Sequence, residues 1–276
     1  MDKKIKIELS GSKADWDRVA KKYLSKRSLV SQIENWYTYY IGQAYLKAAK
    51  KGLLYLKERP EINLLKTDLW EEVVERGRNI LEKIAQLKKG NLNLYAIDIS
   101  PVLVNKAKKL IKNAIINEGD VRNLPFSNNF FDIILDLSTL DHISQNYHNQ
   151  VFAEYCRVLK KEGILVLVFF RKSPVLSLIN IWAKVRGRKP LIDNQLCFAF
   201  AEKEVKEKLK KLFEIKEEYC IGSILLMSLL TRGARKIINK PPYTFMNLIL
   251  KLEYSRLSKY LFKGFSELSL VIARKK

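Results

Sequence analysis

The feature that most constrains the fold is an alternation of short, continuous apolar runs with helical periodicity between residues 62 and 170. Runs that are too short for buried helices, and that do not alternate with polar residues, are typical of strands covered on both faces. They fall at residues 62–67, 95–99, 114–116, 131–135 and 164–170. The pattern predicts an α/β fold with a doubly wound, mostly parallel sheet, a Rossmann-like arrangement.

Helical signals occupy the stretches between these runs. Apolar residues at i, i+3, i+4 spacing predict one long helix over residues 69–87. Ser100 followed by Pro101 is a typical helix start, with a capping hydroxyl and a proline at the first helical position. Further along, runs at 213–220 and 268–273 predict strands, which we expect to form an antiparallel C-terminal edge of the sheet interrupted by helical insertions.

These signals divide the chain into an extension and a domain. We predict an N-terminal helical extension over residues 1–58 and an α/β domain over residues 59–276. Within the domain, proline-containing basic stretches mark insertions at about residues 173–198 and 222–264.

Composition narrows the classes of function. The formal net charge is +22, and most of the basic surplus lies in the C-terminal half, which favours partners with negative surfaces. With 47% hydrophobic residues, the chain is too apolar to be disordered. Its 3 cysteines are far apart without a C-x-x-C pair, and it has only 2 histidines. We therefore expect a reduced protein with neither a disulfide framework nor a metal site.

The sequence also bears on location. Charged and aliphatic residues alternate at the N-terminus, which does not resemble a signal peptide. The longest apolar run, residues 221–230, is about half as long as the roughly 20 residues that a membrane-spanning helix needs. We expect a cytoplasmic protein, and the basic apolar segments described below also fit a peripheral position at a membrane.

Polar residues follow four of the predicted strands. In an open parallel sheet, ligands bind at the carboxyl ends of the strands, near the point where strand order reverses. Asp98 is placed to accept hydrogen bonds from both hydroxyls of a ribose. Asp120 is placed to accept a hydrogen bond from an adenine amino group. The spacing therefore favours a nucleoside-containing ligand at this edge of the sheet.

In this order and spacing, four stretches resemble the class I S-adenosylmethionine-dependent methyltransferases, in particular their small-molecule, type 11-like branch. The stretches are residues 95–100, 119–126, 131–142 and 154–165. The resemblance implies S-adenosylmethionine as the cofactor, with Asp98 on its ribose. It also implies cofactor contacts from other strand-end residues. The complete predicted cofactor set is Lys66, Thr67, Asp68, Asp98, Ile99, Ser100, Gly119, Asp120, Val121, Asp136 and Leu137.

The first motif departs from the family pattern. Residues 65–72 read Leu-Lys-Thr-Asp-Leu-Trp-Glu-Glu where the family has a glycine-rich loop, in which glycine lets the backbone approach the cofactor. The stretch resembles a less common Lys-Thr-Asp-Leu variant, in which Lys66 meets the carboxylate of the methionine part and Asp68 its amino group. A nicotinamide-binding fold is the less favoured interpretation, because no G-x-G-x-x-G phosphate cradle is present.

The candidates for a catalytic base are His142 and Asp141, which follow the fourth predicted strand. Methyl transfer depends on aligning nucleophile, methyl and sulfonium, so positioning alone supplies much of the rate and a base is not required. Four aromatic residues of the N-terminal extension either close over the site or pack in the core. These are Trp36, Tyr37, Tyr39 and Tyr40.

Two basic, apolar segments bear on the acceptor and on partners. Residues 174–189 and 245–263 interleave aliphatic and aromatic residues with Lys and Arg, as interfacial helices on anionic membranes do. An ordinary cap over the substrate cleft has the same composition. We predict methyl transfer to a small or amphiphilic, lipid-like acceptor, with an anionic membrane surface as a partner. The alternatives are an RNA methyltransferase, favoured by the net charge, and a non-catalytic methyltransferase-like binding protein, favoured by the glycine-free loop.

Overall fold

The computed structural model describes residues 12–25, 36–74, 79–87, 91–187, 197–223 and 243–276. Within them, the strands of one sheet are β1 (Glu61–Lys66), β2 (Asn91–Asp98), β3 (Ala114–Glu118), β4 (Phe131–Leu137), β5 (Leu159–Phe170), β6 (Phe213–Ile221) and β7 (Leu268–Lys275). The helices are α1 (Lys13–Ser25), α2 (Trp36–Leu54), α3 (Trp70–Val73), α4 (Ile80–Ala85), α5 (Pro101–Leu110), α6 (His148–Val158), α7 (Pro174–Val185), α8 (Glu202–Leu209), α9 (Tyr243–Glu253) and α10 (Ser258–Leu261).

The strand order is β3-β2-β1-β4-β5-β7-β6. Strands β1 to β5 run parallel, whereas β7 pairs antiparallel with both β5 and β6. The prediction of a mostly parallel, doubly wound sheet with an antiparallel C-terminal edge is confirmed. The strand order reverses between β1 and β4, so the carboxyl ends of these two strands bound the crevice where ligands bind in such sheets.

Apolar clusters cover the two faces of the sheet. One combines the buried faces of α2, α4, α5 and α9 with side chains of the strands, and the other combines α6 and α8 with the opposite strand face. All residues of β4 are buried, which is why this strand has no polar alternation in the sequence. The two buried faces fix the strand ends as a rigid edge on which a site can be built.

The single helix expected over residues 69–87 is wrong in the described part of the chain. Two short helices, α3 and α4, occupy its ends, and residues 75–78 lie outside the described residues. Asn79 adopts a left-handed backbone with φ of 32°, which interrupts helical geometry just before α4. The buried carboxylate of Glu72 accepts a hydrogen bond from the backbone N–H of Leu81 at 3.2 Å and so caps the second helix.

Helices α1 and α2 precede β1. Helix α2 packs on the sheet, and its Tyr40 is fully buried with its hydroxyl donating to Glu253 of α9. Tyr39 donates to Asn247 of the same helix at 3.4 Å. These two predicted aromatic residues therefore join α2 to α9, away from the site. The side chains of Trp36 and Tyr37 lie outside the described residues.

The described parts of the two long connections near the C-terminus contain helices. Helices α7 and α8 lie between β5 and β6, and α9 and α10 lie between β6 and β7. No helix in the described residues has both the length and the apolar character of a membrane span.

Candidate cofactor and acceptor site

A cavity of about 430 Å³ lies at the carboxyl edge of the sheet, beside the ends of β1, β2, β3 and β4. Nine of the predicted site residues line it. They are Thr67, Asp68, Asp98, Ile99, Gly119, Asp120, Val121, Leu137 and His142. The remaining four predicted residues do not line the cavity; these are Lys66, Ser100, Asp136 and Asp141.

Asp98 is fixed at the end of β2 by two backbone donors. The N–H of Leu69 donates to Oδ2 at 3.0 Å, and the N–H of Ser100 donates to Oδ1 at 2.8 Å. Burial raises the pKa of Asp98 to about 6. Each carboxylate oxygen accepts one of these bonds and keeps a lone pair for a further donor. The carboxylate is therefore oriented to accept two hydroxyl groups.

Ser100 has a structural role rather than a place in the cavity wall. Its hydroxyl accepts a hydrogen bond from the N–H of Leu103 at 3.4 Å, which caps α5 as the Ser100-Pro101 signal predicted. The same hydroxyl bonds to Asp17 of α1. The Ser100 side chain therefore joins two helices, and its contact with the cofactor stays a prediction.

Lys66 is enclosed by carboxylates of its own chain. Its fully buried ammonium lies 2.9 Å from Oδ1 of Asp68, 2.9 Å from Oε2 of Glu71 and 3.2 Å from Oε2 of Glu72. In the structure the Lys66 ammonium is engaged within this cluster, and the contact between Lys66 and the cofactor carboxylate stays a prediction. The three carboxylates are close enough together to hold a metal ion, but the Lys66 ammonium already lies among them.

The cluster of Lys66, Asp68, Glu71 and Glu72 carries more negative than positive groups. Burial works to lower the pKa of Lys66, but the attraction of the three carboxylates outweighs it and holds that pKa well above its usual value. Burial, followed by repulsion from Glu71, raises the pKa of Asp68 well above its usual range, and burial also raises the pKa of Glu72. Asp68 and Glu71 line the cavity. This end of the cavity therefore favours a cation.

The β3 end supplies a carboxylate held by an arginine. The guanidinium of Arg122 donates to both oxygens of Asp120, from Nε at 3.0 and 2.9 Å, and the Arg122 N–H adds a bond of 2.8 Å. The backbone of Gly119 donates to the carbonyl of Asp98 at 3.1 Å, and a Cβ there would lie 3.1 Å from Pro125. Glycine therefore suits this close approach between the β2 and β3 ends.

The β4 end is a tight turn whose acids are buried. Asp136 accepts the hydroxyl of Tyr155 at 2.9 Å and two backbone N–H groups, and burial raises its pKa to about 6. Asp141 accepts the N–H of Phe170 at 2.6 Å and the hydroxyl of Ser138. Both carboxylates stabilise the turn through hydrogen bonds within the chain, and the cofactor contact of Asp136 and the catalytic role of Asp141 stay predictions.

Two threonines span the crevice between β1 and β4. The hydroxyls of Thr67 and Thr139 lie 2.7 Å apart, and both side chains line the cavity. Ser138, with φ of 83°, turns the chain sharply at the end of β4. Hydroxyl groups are thus concentrated where strand order reverses.

Helix α1 covers the cavity. Trp16 packs edge to face on His142 with ring centroids 4.7 Å apart, and Tyr23 packs on Trp70 at 5.2 Å. Asp17 and Lys13 join α1 to Ser100 and Glu118. The sequence left cover or core open for the aromatic residues 36–40, and of these Tyr40 packs in the core. The spacing of Trp16, Val19 and Tyr23 on one helical face was the signal that identifies the cover.

The remaining wall is apolar and aromatic. Tyr45 of α2, Ile143 after β4, Phe170 at the end of β5 and Cys197 line it together with Trp16. None of these positions was singled out from the sequence as a site residue, since they come from five separate segments. The cavity thus has an acidic, hydrogen-bonding half at β1 to β3 and an apolar half beside α1 and β5.

Comparison with known proteins places part of the chain in a family. Residues 76–167 match the methyltransferase domain family. Over 91 residues the chain is 31% identical to the ubiquinone/menaquinone biosynthesis C-methyltransferase UbiE of Campylobacter jejuni. The match covers 33% of this chain and 38% of that relative, so the chain spans well under half the length of the curated relatives it matches.

Two solved structures show the same fold. A sarcosine dimethylglycine methyltransferase from Galdieria sulphuraria, described as putative, superposes with a TM-score of 0.55 at 14% identity, over 85% of this chain and 86% of that one. The 1,6-didemethyltoxoflavin-N1-methyltransferase of Burkholderia thailandensis, solved with bound 1,6-didemethyltoxoflavin and S-adenosylhomocysteine, gives a TM-score of 0.52 at 14% identity, over 96% of this chain and 87% of that one. At this identity the likeness concerns the fold alone.

Proposed function

Because the chain belongs to the class I S-adenosylmethionine-dependent methyltransferases, we propose that it binds S-adenosylmethionine in the cavity at the carboxyl edge of its sheet and methylates a small, apolar or amphiphilic acceptor. The observation that carries this proposal is the division of one cavity into an acidic, hydrogen-bonding half and an apolar half. The first half suits the cofactor and the second suits the acceptor.

The residues of the acidic half fit the charges and donors of the cofactor. In the proposed arrangement, Asp98 accepts the two ribose hydroxyls through the lone pairs that Leu69 and Ser100 leave available. Asp120, oriented by Arg122, accepts the adenine amino group, and Val121 packs on the adenine ring. These three contacts need no glycine-rich loop, because they come from β2 and β3 rather than from β1.

The end of β1 fits the methionine part. Asp68 and Glu71 face the cavity with an excess of negative charge, which attracts an ammonium and a sulfonium. The hydroxyls of Thr67 and Thr139 bond each other, which uses the hydrogen of one, and in this proposal the other hydroxyl donates to the carboxylate. In this proposal Lys66 acts through Asp68 and Glu71, which it holds in place, rather than by touching the cofactor.

The bound cofactor supplies an electrophilic methyl group on a sulfonium. The contribution of the chain is to hold the acceptor against that group and to exclude water, which is the positioning effect that methyl transfer needs. Helix α1 closes the cavity through Trp16 and Tyr23. His142 faces the cavity beneath Trp16, where it contacts the acceptor in this proposal and orients it.

The apolar half supports a particular class of acceptor. Trp16, Tyr45, Ile143 and Phe170 present rings and aliphatic groups with few polar atoms, which favours a flat, apolar ring system. The Campylobacter jejuni relative is named for ubiquinone and menaquinone biosynthesis, which agrees with this class. An acceptor of this kind partitions into lipid, so we also propose that the chain meets it at a membrane surface.

The proposal is tested by transfer of a tritium-labelled methyl group from S-adenosylmethionine. The purified chain is incubated with a total bacterial lipid extract or with total RNA as the acceptor mixture. We expect label in the organic phase with the wild-type chain, little with Asp98→Asn, and wild-type levels with Glu58→Gln, a matched neutralisation at an exposed carboxylate. Label in RNA alone would support the RNA methyltransferase, and no label in either mixture would contradict the proposed activity.

A further inference from the structure

An apolar stripe runs along the exposed face of α7. Leu178, Ile181, Trp182 and Val185 are spaced as one helical face, and they are 65%, 58%, 52% and 81% exposed. Large apolar side chains scattered singly on a surface need no explanation, but four in register on a helix form a patch that water disfavours. The patch therefore indicates a surface that binds an apolar partner.

Cations surround this stripe. Lys172 precedes the helix, Lys184 lies in its last turn and Arg186 follows it, and all three are exposed. No acidic residue occurs between residues 172 and 187. The guanidinium of Arg186 lies over the indole ring of Trp182, 3.8 Å from its centroid. The chain as a whole carries +22, so the long-range field also attracts an anionic partner.

The chemistry of the patch fits one occupant. Aliphatic side chains beside a tryptophan, bordered by lysine and arginine, match the boundary between acyl chains and headgroups of an anionic bilayer. A helix of 12 residues is too short to cross a bilayer but suffices to lie along it. The exposed stripe and the surrounding cations therefore fit the apolar and the charged layer of the same surface.

The helix also lies next to the apolar half of the cavity. Phe170, at the end of β5, lines the cavity, and α7 begins four residues later at Pro174. Arg171 and Ser173, in between, are buried, which ties the start of α7 to the sheet edge. The geometry points to α7 as a lipid-docking helix that lays its stripe of Leu178, Ile181, Trp182 and Val185 into an anionic membrane and thereby turns the acceptor half of the cavity towards the bilayer.

Only the last step of this inference, delivery of an acceptor from the bilayer, rests on the proposed function. Docking itself is independent of methyl transfer and is measured without cofactor. A chain that floats with vesicles but transfers no methyl group would contradict the proposed function and leave the docking inference intact. A chain that transfers methyl groups but never floats would contradict the docking inference and leave the proposed function intact.

The test is flotation of the full chain with vesicles of phosphatidylcholine alone or with 30% phosphatidylglycerol. The wild-type chain is expected to float with the anionic vesicles and much less with the neutral ones. Ile181→Glu/Val185→Glu should lower the partition coefficient roughly 100-fold or more, because two apolar side chains no longer enter the bilayer. The matched control Leu54→Glu/Ile115→Glu makes the same change at exposed residues of α2 and β3 and should float as the wild type does.

A second variant removes apolar contact without adding charge. Leu178→Ser/Val185→Ser should bind at least about tenfold more weakly, while thermal unfolding of all variants should match the wild type because the changed residues are exposed. The inference is overturned if the wild-type chain fails to float with anionic vesicles. It is also overturned if both α7 variants float normally, or if the control loses binding as much as they do.

Discussion

Replacing Lys66 with methionine tests whether the cluster behind the cavity is held together by its single cation. Lys66 is fully buried and lies within 3.2 Å of carboxylate oxygens of Asp68, Glu71 and Glu72. Methionine keeps most of the side-chain volume but removes the ammonium. Three carboxylates, of which Glu71 and Glu72 are buried, would then face one another without a counter-charge.

The expected cost follows from this geometry. Removing one partner of a buried ion pair typically costs about 3–5 kcal/mol, because the remaining charge stays buried and unpaired. We therefore expect Lys66→Met to lower the free energy of unfolding by about 3–5 kcal/mol at pH 7.5. The matched control is Lys57→Met, which removes an exposed lysine paired with the exposed Glu58 and should cost no more than about 1 kcal/mol.

The loss should also depend on pH. Burial already raises the pKa of Asp68 and Glu72, and removing the cation raises both further. A carboxyl group whose pKa is higher in the folded state contributes stability at low pH and loses it as pH rises through that pKa. The deficit of Lys66→Met should therefore be largest at neutral pH and smaller near pH 5.

Urea unfolding followed by circular dichroism at pH 7.5 and pH 5 measures both effects. A deficit below about 1 kcal/mol at pH 7.5, equal to that of Lys57→Met, would refute the reasoning. So would a deficit that grows as the pH falls. Either result would mean that the three acids do not depend on Lys66 for their charge balance.

Three further predictions follow from the site and the core. Cofactor affinity should fall up to about tenfold between pH 7 and pH 5, since protonation of Asp98 near pH 6 removes an acceptor; a flat calorimetric profile would count against Asp98 as the ribose ligand. Trp16→Ala should weaken cofactor binding about tenfold and speed tryptic cleavage within α1, because the contact with His142 is lost; unchanged cleavage would contradict the covering role. Gly52→Ala should cost about 1–3 kcal/mol in urea unfolding, because its Cβ would overlap β5, whereas Gly264→Ala, which meets no atom within 4 Å, should cost little; equal costs would contradict this packing.

The sheet was predictable because its strands are buried on both faces. A strand such as β4, with every residue buried, must be apolar throughout, and this leaves a clear signature in the sequence. The first and last residues of the strands were less predictable. Strand β2 begins at Asn91, before its apolar run, because the backbone of residues 91–94 pairs with β1 whatever side chains they carry.

Topology explains why most site residues were placed at the cavity. The carboxyl ends of parallel strands share one edge, so Asp98 and Asp120 had to come close together once the fold was known. Strand ends alone do not show which partners a side chain meets, so the intramolecular contacts of Lys66 and Asp136 were not predictable. Lys66 donates a hydrogen bond to Glu71, and Tyr155 of α6 donates a hydrogen bond to Asp136.

The cover of the cavity could not be placed from the sequence. Helix α1 shows a clear amphipathic face, but the pattern does not show which part of the sheet that face will meet. Its position depends on contacts over long chain distances, such as Lys13 with Glu118 and Asp17 with Ser100. Such contacts have no local signature.

The central claim is that the carboxyl edge of this sheet binds the cofactor although β1 is followed by no glycine-rich loop. Titration calorimetry with S-adenosylmethionine and S-adenosylhomocysteine tests it directly, on the wild-type chain, Asp98→Asn and Glu58→Gln. We predict micromolar binding that weakens about 10- to 100-fold in Asp98→Asn and is unchanged in Glu58→Gln, since hydrogen bonds to a charged acceptor contribute about 1.5–3 kcal/mol. No binding by the wild-type chain at millimolar ligand, or equal affinity in a folded Asp98→Asn chain, would contradict the account.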